Sequence, residues 1–379
     1  MLLKNAEVMN KDFELEKTDI AVEGTIISAV GSGVHTGGEV FDLEGLTVIP
    51  GLVDIHIHGC AGFDACDATV EAVATMSSQL AKRGITSFCP TTMTVSADGI
   101  KKALLNIKNC MENPPEGAAI LGVNMEGPYI SVNKKGGQKA DFVRTPDWKQ
   151  FKNFYDLSGG IIKIVDIAPE CDGAYEFIES ARRLCAVSIA HTDANYEQAK
   201  AAFGWGITHV THLFNAMAGF GHREPGVVGA VFDDDSVNAE LICDGFHIHP
   251  AALRTAFRIL GEDRAIIVSD SMRAAGLPDG SYDLGGQTVY VKNGQARLAD
   301  GTIAGSTTNL LDEVRNLVSF GVPFRQVIKA ATINPSKAVG EDKRIGSIEA
   351  GKRADLVVLD KKMNLKMVVL HGEIAVLDL

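Results

Sequence analysis

Two kinds of hydrophobic pattern run along the chain and separate a long middle from two ends. Through the middle, apolar runs of strand length recur at Leu52–Ile57, Ile85–Cys89, Ile120–Met125, Ile161–Ile167, Val187–Ala190, His209–Leu213, Ala239–Cys243 and Ala265–Val268. Longer helical stretches fall between them, among them Thr69–Lys82, Asp98–Met111, Ala174–Leu184, Tyr196–Phe203 and Pro250–Leu260. Apolar strands alternating with helices predict a parallel sheet. Eight such units in succession predict an α/β fold, a (β/α)8 TIM barrel over residues 51–344, with a doubly wound open sheet as the alternative. The ends read as short strands instead: Leu2-Leu3, Thr18–Val22, Thr25–Val30 and Thr47–Ile49, then Ala354–Leu359 and Met367–Leu370, with Gly24 and Gly31 as punctuation. A small β-sandwich domain assembled from residues 1–50 together with 345–379 is expected.

Polar residues gather where the apolar runs stop. In a TIM barrel the C-terminal strand ends converge on the site of chemistry. Here they deliver Asp54-Ile55-His56-Ile57-His58, then Glu126 after Met125, His191 after Ala190, and His212 within Thr211-His212-Leu213. The seventh run is followed by Asp244-Gly245-Phe246-His247 and the eighth by Ser269-Asp270-Ser271. His56 and His58 are two apart, so on a strand both rings project to one side and can clamp a metal. Glu126, His191 and His212 add a carboxylate and two imidazoles. Such nitrogen and oxygen donors suit a divalent ion, one or two per subunit, with zinc or iron foremost and manganese or cobalt as alternatives. Asp270 is the candidate general base: a carboxylate beside a metal site can take a proton from water and return it to a leaving amine. Its bland reading is a helix N-cap, and that of Glu126 a capping or salt-bridged carboxylate. His209, three residues before His212, reads as a core histidine, and His35, His249 and His371 as structural or surface residues.

Composition narrows the class. With 46% hydrophobic and 22% charged residues, the chain can bury a sizeable core. A formal net charge of -12 argues against nucleic acid as a partner, while leaving room for a small phosphorylated ligand held by a few local cations. No apolar run is long enough to cross a bilayer, so no membrane partner is expected. Met1 to Asp12 places Lys4, Glu7, Lys11 and Asp12 where a signal peptide needs apolar residues, which points to the cytoplasm. The seven cysteines show no paired spacing and several sit inside apolar runs, as reduced, buried thiols do.

Taken together, His-x-His on the first strand, histidines on the fifth and sixth and Asp on the eighth resemble the amidohydrolase superfamily. Many of its members bridge two metals with a modified lysine after the fourth strand. The fourth run here leads to Ala168-Pro169-Glu170, with Lys163 inside the strand, and Glu126 stands as the substitute. The runs Asn124–Ile130, Thr211–Met217 and Arg223-Glu224-Pro225-Gly226, with Asp244–His247 and Ala304-Gly305-Ser306, look like the N-acetylglucosamine-6-phosphate deacetylase family. The resemblance spans nearly the whole chain. It implies that Glu126, His191 and His212 hold the main metal and that His56 and His58 allow a second, a feature that varies in that family. It also implies that Gly137, Gln138, Asn215, Ala216, Arg223, His247, Ala304, Gly305 and Ser306 contact the substrate, an amino-sugar phosphate. Some relatives carry histidine where this chain has Gln138. Arg223, with His222 beside it, is the implied phosphate ligand, reaching the neighbouring subunit's site in a homodimer. Lys134, Lys135 and Lys139, in a Gly-rich loop, read as electrostatic help or a solvated face. The family resemblance does not separate glucosamine from galactosamine substrates.

Overall fold

The computed structural model describes residues 1–379, and its centre is a closed barrel of parallel strands. The barrel strands are β1 (Leu52–Ile57), β2 (Ile85–Thr92), β3 (Val123–Met125), β4 (Ile162–Ile167), β5 (Ala186–Ile189), β6 (His209–Val210), β7 (Asn238–Leu241) and β8 (Ala265–Ile267). Each pairs in parallel with the next, β1 with β2 through to β7 with β8. All eight expected runs are therefore present. The third is broken: Ala119–Ile120 forms a separate short strand on β2, and the chain kinks at Gly122 before β3. Gly122 has φ +152°, and a Cβ there would lie 2.5 Å from the Ile161 carbonyl oxygen, so glycine is required for the two backbones to pass.

No regular ladder joins β8 to β1. The ring closes instead at its upper rim, where the Asp270 amide donates to the His56 carbonyl at 2.9 Å and the His58 amide to the Ser271 carbonyl at 2.9 Å. Below them the Ser269 hydroxyl donates to the Asp54 carboxylate at 2.6 Å. Closure thus falls on the residues that carry the candidate chemistry.

Helices Val70–Ala81, Ala97–Glu112, Ala174–Ala181, Tyr196–Trp205 and Pro250–Leu260 occupy the expected stretches between strands. Thr69, Ser96 and Asn195 start three of them by accepting a backbone N–H from the first turn. The largest core lies between these helices and the barrel, while Val53, Ile55, Cys89, Ile164, Ile242, Ile266 and Val268 converge from several strands on the barrel interior. The terminal strands form one branched eight-stranded sheet over a core of its own, including Leu3, Val8, Ile20, Val48, Leu356 and Val369. Its order interleaves the two ends, because Leu356–Leu359 pairs antiparallel with Thr47–Pro50. No helix is long and apolar enough to cross a membrane, and all seven cysteines are free thiols.

Hydrophobic periodicity leaves the segment after β8 without an element, and the structure places a three-stranded antiparallel sheet there: Gly280–Leu284, Gln287–Lys292 and Gln295–Arg297. Both of its turns are two-residue hairpins, Gly285-Gly286 and Asn293-Gly294, with positive φ at every central position. The Asn-Gly pair is a local signal for this hairpin. The strands around it are too short and too exposed to stand out by hydrophobicity.

Candidate metal centre and active site

Five side chains expected as metal ligands and the expected base meet at the C-terminal rim of the barrel. β1 reaches it through a bulge: Asp54 pairs with Phe88 but Ile57 with Pro90, so one extra residue is accommodated in between. Ile55 can then join the inner core while the next residue, His56, also enters the site. The His56 and His58 rings lie 5.3 Å apart at 82°. Glu126 Oε1 lies 3.0 Å from His191 Nε2 and 3.1 Å from His212 Nε2, and Oε2 lies 3.3 Å from His58 Nε2. Asp270 Oδ1 faces the same centre, 3.2 Å from His58 Nε2 and 3.6 Å from His56 Nε2. All six residues are buried.

Their backbone is unusual. His191, His212 and Asp270 have φ of 45°, 32° and 45°, in the left-handed region that costs a non-glycine residue about 1–3 kcal/mol. Neighbouring segments hold them there. Ser131 N–H donates to the His191 carbonyl at 2.9 Å, and Ser306 N–H to the Asp270 carbonyl at 2.8 Å.

The arrangement fits a divalent cation on hydrogen-bonding grounds. His191 Nδ1 donates to the Lys134 carbonyl at 2.9 Å and His58 Nδ1 to the Thr91 carbonyl at 3.2 Å, so in the neutral rings both Nε2 atoms are lone pairs. His56 Nδ1 is bonded to Glu240 at 2.9 Å, and its Nε2 is buried without a partner. His191 Nε2 and His212 Nε2 face each other at 3.2 Å. The Nε2 lone pairs of neutral His56, His58 and His191, directed at the Glu126 and Asp270 carboxylates, are matched by positive charge between them. The ligand atoms form two groups that share Glu126: His56, His58 and Glu126, and Glu126, His191 and His212, within 4.8 Å in each. Nitrogen and oxygen donors of this kind hold borderline divalent ions.

Protonation alone answers the same field. Burial resists charging His56, but Glu240 and Asp270 overcome it and raise its pKa to about 10. His58 is likewise raised, by Asp270 and Glu126 against burial. Burial pushes Glu126 and Asp270 upward, yet the surrounding imidazoles hold both below the usual carboxylate range. Asp270 is thus ionised at neutral pH, as a proton acceptor must be.

Above this centre opens a cavity of about 570 Å³, lined among others by Gly137, Gln138, Asn215, Ala216, His247, Ala304 and Gly305. Gln138 is fixed at both ends. Its Oε1 accepts from the Thr94 amide at 2.7 Å, which directs its NH2 at Glu126. His247 is held through Nδ1 by Asp244 at 2.7 Å, leaving Nε2 as its nitrogen for the cavity. Ser306 does not line the cavity: it is buried behind Asp270, with its hydroxyl on the Ser269 carbonyl at 2.6 Å. Lys134 and Lys135 line the cavity, whereas Lys139 lies over the Phe142 ring. Arg223 and His222 are exposed and outside the cavity of their own chain, and Arg223 makes no ion pair with Glu224.

Two features escape a reading of motifs. Glu240, wholly buried in β7, joins His56 to His209, whose Nε2 lies 2.9 Å from the other carboxylate oxygen. A glutamate inside an otherwise apolar strand is the signal that could have found it. His209 is the core residue expected, but its partner ties it to the site. The second feature is the hairpin sheet, which brings Leu284 to the cavity wall and bonds Gln287 Nε2 to the Gly137 carbonyl at 2.5 Å.

A closed (β/α)8 barrel with histidines and carboxylates converging at its rim defines a class, and the chain belongs to the amidohydrolase family, whose profile matches residues 47–375. It is therefore a hydrolase. Over 86% of its length and 84% of the relative's, it is 39% identical to N-acetylglucosamine-6-phosphate deacetylase of Bacillus subtilis (strain 168). It is also 34% identical to N-acetylgalactosamine-6-phosphate deacetylase of Escherichia coli O157:H7, over 86% of this chain and 87% of that one. A solved structure of the Mycobacterium smegmatis N-acetyl-D-glucosamine-6-phosphate deacetylase, a variant in complex with N-acetyl-D-glucosamine-6-phosphate, superposes with a TM-score of 0.93. That pair is 32% identical and covers 99% of both chains.

Proposed function

We infer that this chain hydrolyses the acetamide of N-acetyl-D-glucosamine 6-phosphate to D-glucosamine 6-phosphate and acetate. The observation that carries the reading is the convergence of Glu126, His191, His212, His56, His58 and Asp270 beneath a sugar-sized cavity. Glu126, His191 and His212 would hold the main cation, and His56 and His58 a second, with zinc or iron the best match to the donors. What a divalent cation supplies there is Lewis acidity, which lowers the pKa of water and polarises a carbonyl oxygen.

The chain's own residues do the rest. Asn215, Ala216, Gly137, Ala304 and Gly305 shape the wall that receives the sugar. The Gln138 NH2 and His247 Nε2 are donors for the acetyl oxygen as negative charge develops on it. Asp270 accepts a proton from the attacking water as the C–O bond forms, then delivers it to the amine nitrogen as the C–N bond breaks. The water's second proton leaves on the acid product, which ionises to acetate in solvent, the free amine departs, and Asp270 is again ionised.

The phosphate needs a cation that the chain's own rim does not supply as a bidentate guanidinium. Arg223 offers that fork and has no partner within its own chain. Phe220 and Phe246 are 59% and 52% exposed in the segments that carry Arg223 and His247, which supports a homodimer in which a second copy covers this face and each Arg223 serves the partner's cavity. The unit is then a homodimer. A galactosamine epimer is the second reading, favoured by the Escherichia coli relative.

Acetate release tests all of this. Purified protein of known metal content is incubated with N-acetylglucosamine 6-phosphate, with its galactosamine epimer, and with unphosphorylated N-acetylglucosamine. Fast release from the first alone is expected. Faster release from the epimer would transfer the assignment to that sugar, equal release from the unphosphorylated sugar would remove the phosphate contact, and no release from any would overturn the reading.

A further inference from the structure

His56 and His58 are anchored in different ways. His58 Nδ1 rests on a backbone carbonyl, that of Thr91 at 3.2 Å, which no side-chain change removes. His56 Nδ1 rests on a side chain, Glu240 Oε2 at 2.9 Å. Glu240 is itself pinned from the other side, because His209 Nε2 reaches Oε1 at 2.9 Å. The His212 backbone amide also points at Oε2, at 3.4 Å. All three side chains are essentially inaccessible to water.

This geometry settles a tautomer. A carboxylate between two imidazoles only accepts, so each ring must donate to it. In the neutral ring, the form that binds a cation in place of a proton, the hydrogen on Nδ1 leaves His56 a lone pair on Nε2. That atom is buried, has no hydrogen-bond partner, and lies 3.7 Å from Glu126 Oε1 and 3.6 Å from Asp270 Oδ1. The Glu126, His191 and His212 group meets this arrangement only through the long contact of the His212 backbone amide, and none of its imidazole nitrogens bonds Glu240: His191 is oriented by the Lys134 carbonyl at 2.9 Å.

We propose that Glu240, anchored by His209, is the positioning residue that holds His56 as a ready ligand and so governs occupancy of the second cation position, formed with His58, without controlling the first. The proposal rests on the metal-hydrolase reading above. It assigns work to a buried pair that would otherwise count only as core polarity, and it makes the number of cations bound per chain a property of β6 and β7. Partners that orient a ligating histidine typically contribute about 10- to 100-fold in metal affinity.

The test is Zn²⁺ binding to metal-stripped protein, by equilibrium dialysis with elemental analysis, beside a thermal melt of each stripped variant. The unmodified chain is expected to bind two equivalents. In Glu240→Gln the second equivalent should weaken about 10- to 100-fold while the first binds as before. His209→Gln, which retains a donor to Glu240, should keep both. Two equivalents at unchanged affinity in Glu240→Gln would overturn the proposal, as would parallel weakening of both, the signature of a merely structural pair. If Glu240→Gln does not fold, His209→Leu leaves the carboxylate but removes its anchor. Selective weakening of the second equivalent there supports the proposal, and two unchanged equivalents overturn it. A single equivalent in the unmodified chain would overturn the second position while leaving the hydrolase reading intact, and none at all would overturn both.

Discussion

At the scale of single residues the molecule separates carboxyl groups by their surroundings. Asp270 and Glu126 face imidazoles and are held below the usual carboxylate range against the pull of burial. Glu313, in the helix Leu310–Ser319, is equally buried, but neither of its oxygens has a hydrogen-bond partner. Burial first, then the charges of Asp244 and Asp54, push its pKa well above the ordinary value of 4.5. The folded chain therefore retains a proton there that the unfolded chain releases. The resulting stability is fully present below the unfolded pKa and is lost as pH rises toward the folded one, at up to about 1.4 kcal/mol per pH unit. Glu313→Gln removes that slope. Urea midpoints at about pH 5 and about pH 8 should show the variant gaining on the unmodified protein as pH rises. A difference that stays constant between the two would mean that Glu313 is ionised in the fold.

At the scale of elements, the hairpin sheet Gly280–Arg297 acts on the site through another segment. Leu284 packs with Met93, Met272 and Ala304, while Gln287 bonds the Gly137 carbonyl at 2.5 Å. The next residue, Gln138, carries the amide directed into the site, and three residues earlier Lys134 offers its carbonyl to His191. Removing the Gln287 amide should loosen that loop without touching the barrel. Gln287→Ala is expected to lower kcat/KM by about fivefold, the equivalent of one hydrogen bond of about 1 kcal/mol, with the melting temperature little changed. Unaltered steady-state constants would show the loop to be rigid without the hairpin. The strands of this sheet are marked locally only by their turns. The barrel strands, by contrast, are buried on both faces and declare themselves as continuous apolar runs.

At the scale of the whole molecule, the cavity of one chain and the Arg223 of that chain lie apart, so the proposed phosphate contact is a property of a pair. Mixed dimers test it. Asp270→Asn alone should lose at least about 100-fold in kcat, and Arg223→Ala should chiefly raise KM for the phosphorylated sugar. When the two variants are mixed and allowed to exchange subunits, each hybrid dimer contains one site with both Asp270 and a partner's Arg223. At substrate concentrations well below the KM of Arg223→Ala, activity should then return to about a quarter of the unmodified level. Activity no greater than the sum of the separate variants would place Arg223 in service of its own chain, or of no site.

The sequence alone determined the eight strands, most of the intervening helices and the strand-rich character of the two ends, because each depends on local periodicity and on which residues must leave water. It also supplied the donor residues, since His56, His58, Glu126, His191, His212 and Asp270 all stand at the ends of apolar runs. Tertiary structure decided how those residues face one another. The bulge that turns His56 inward, the left-handed backbone at His191, His212 and Asp270, and the Glu240 bridge between His56 and His209 all depend on neighbours distant in the chain. Strand identity follows from the burial of consecutive residues, a local pattern. The aim of a side chain follows from ring closure, where β8 meets β1 across more than two hundred residues, and no stretch of sequence contains both edges of that seam.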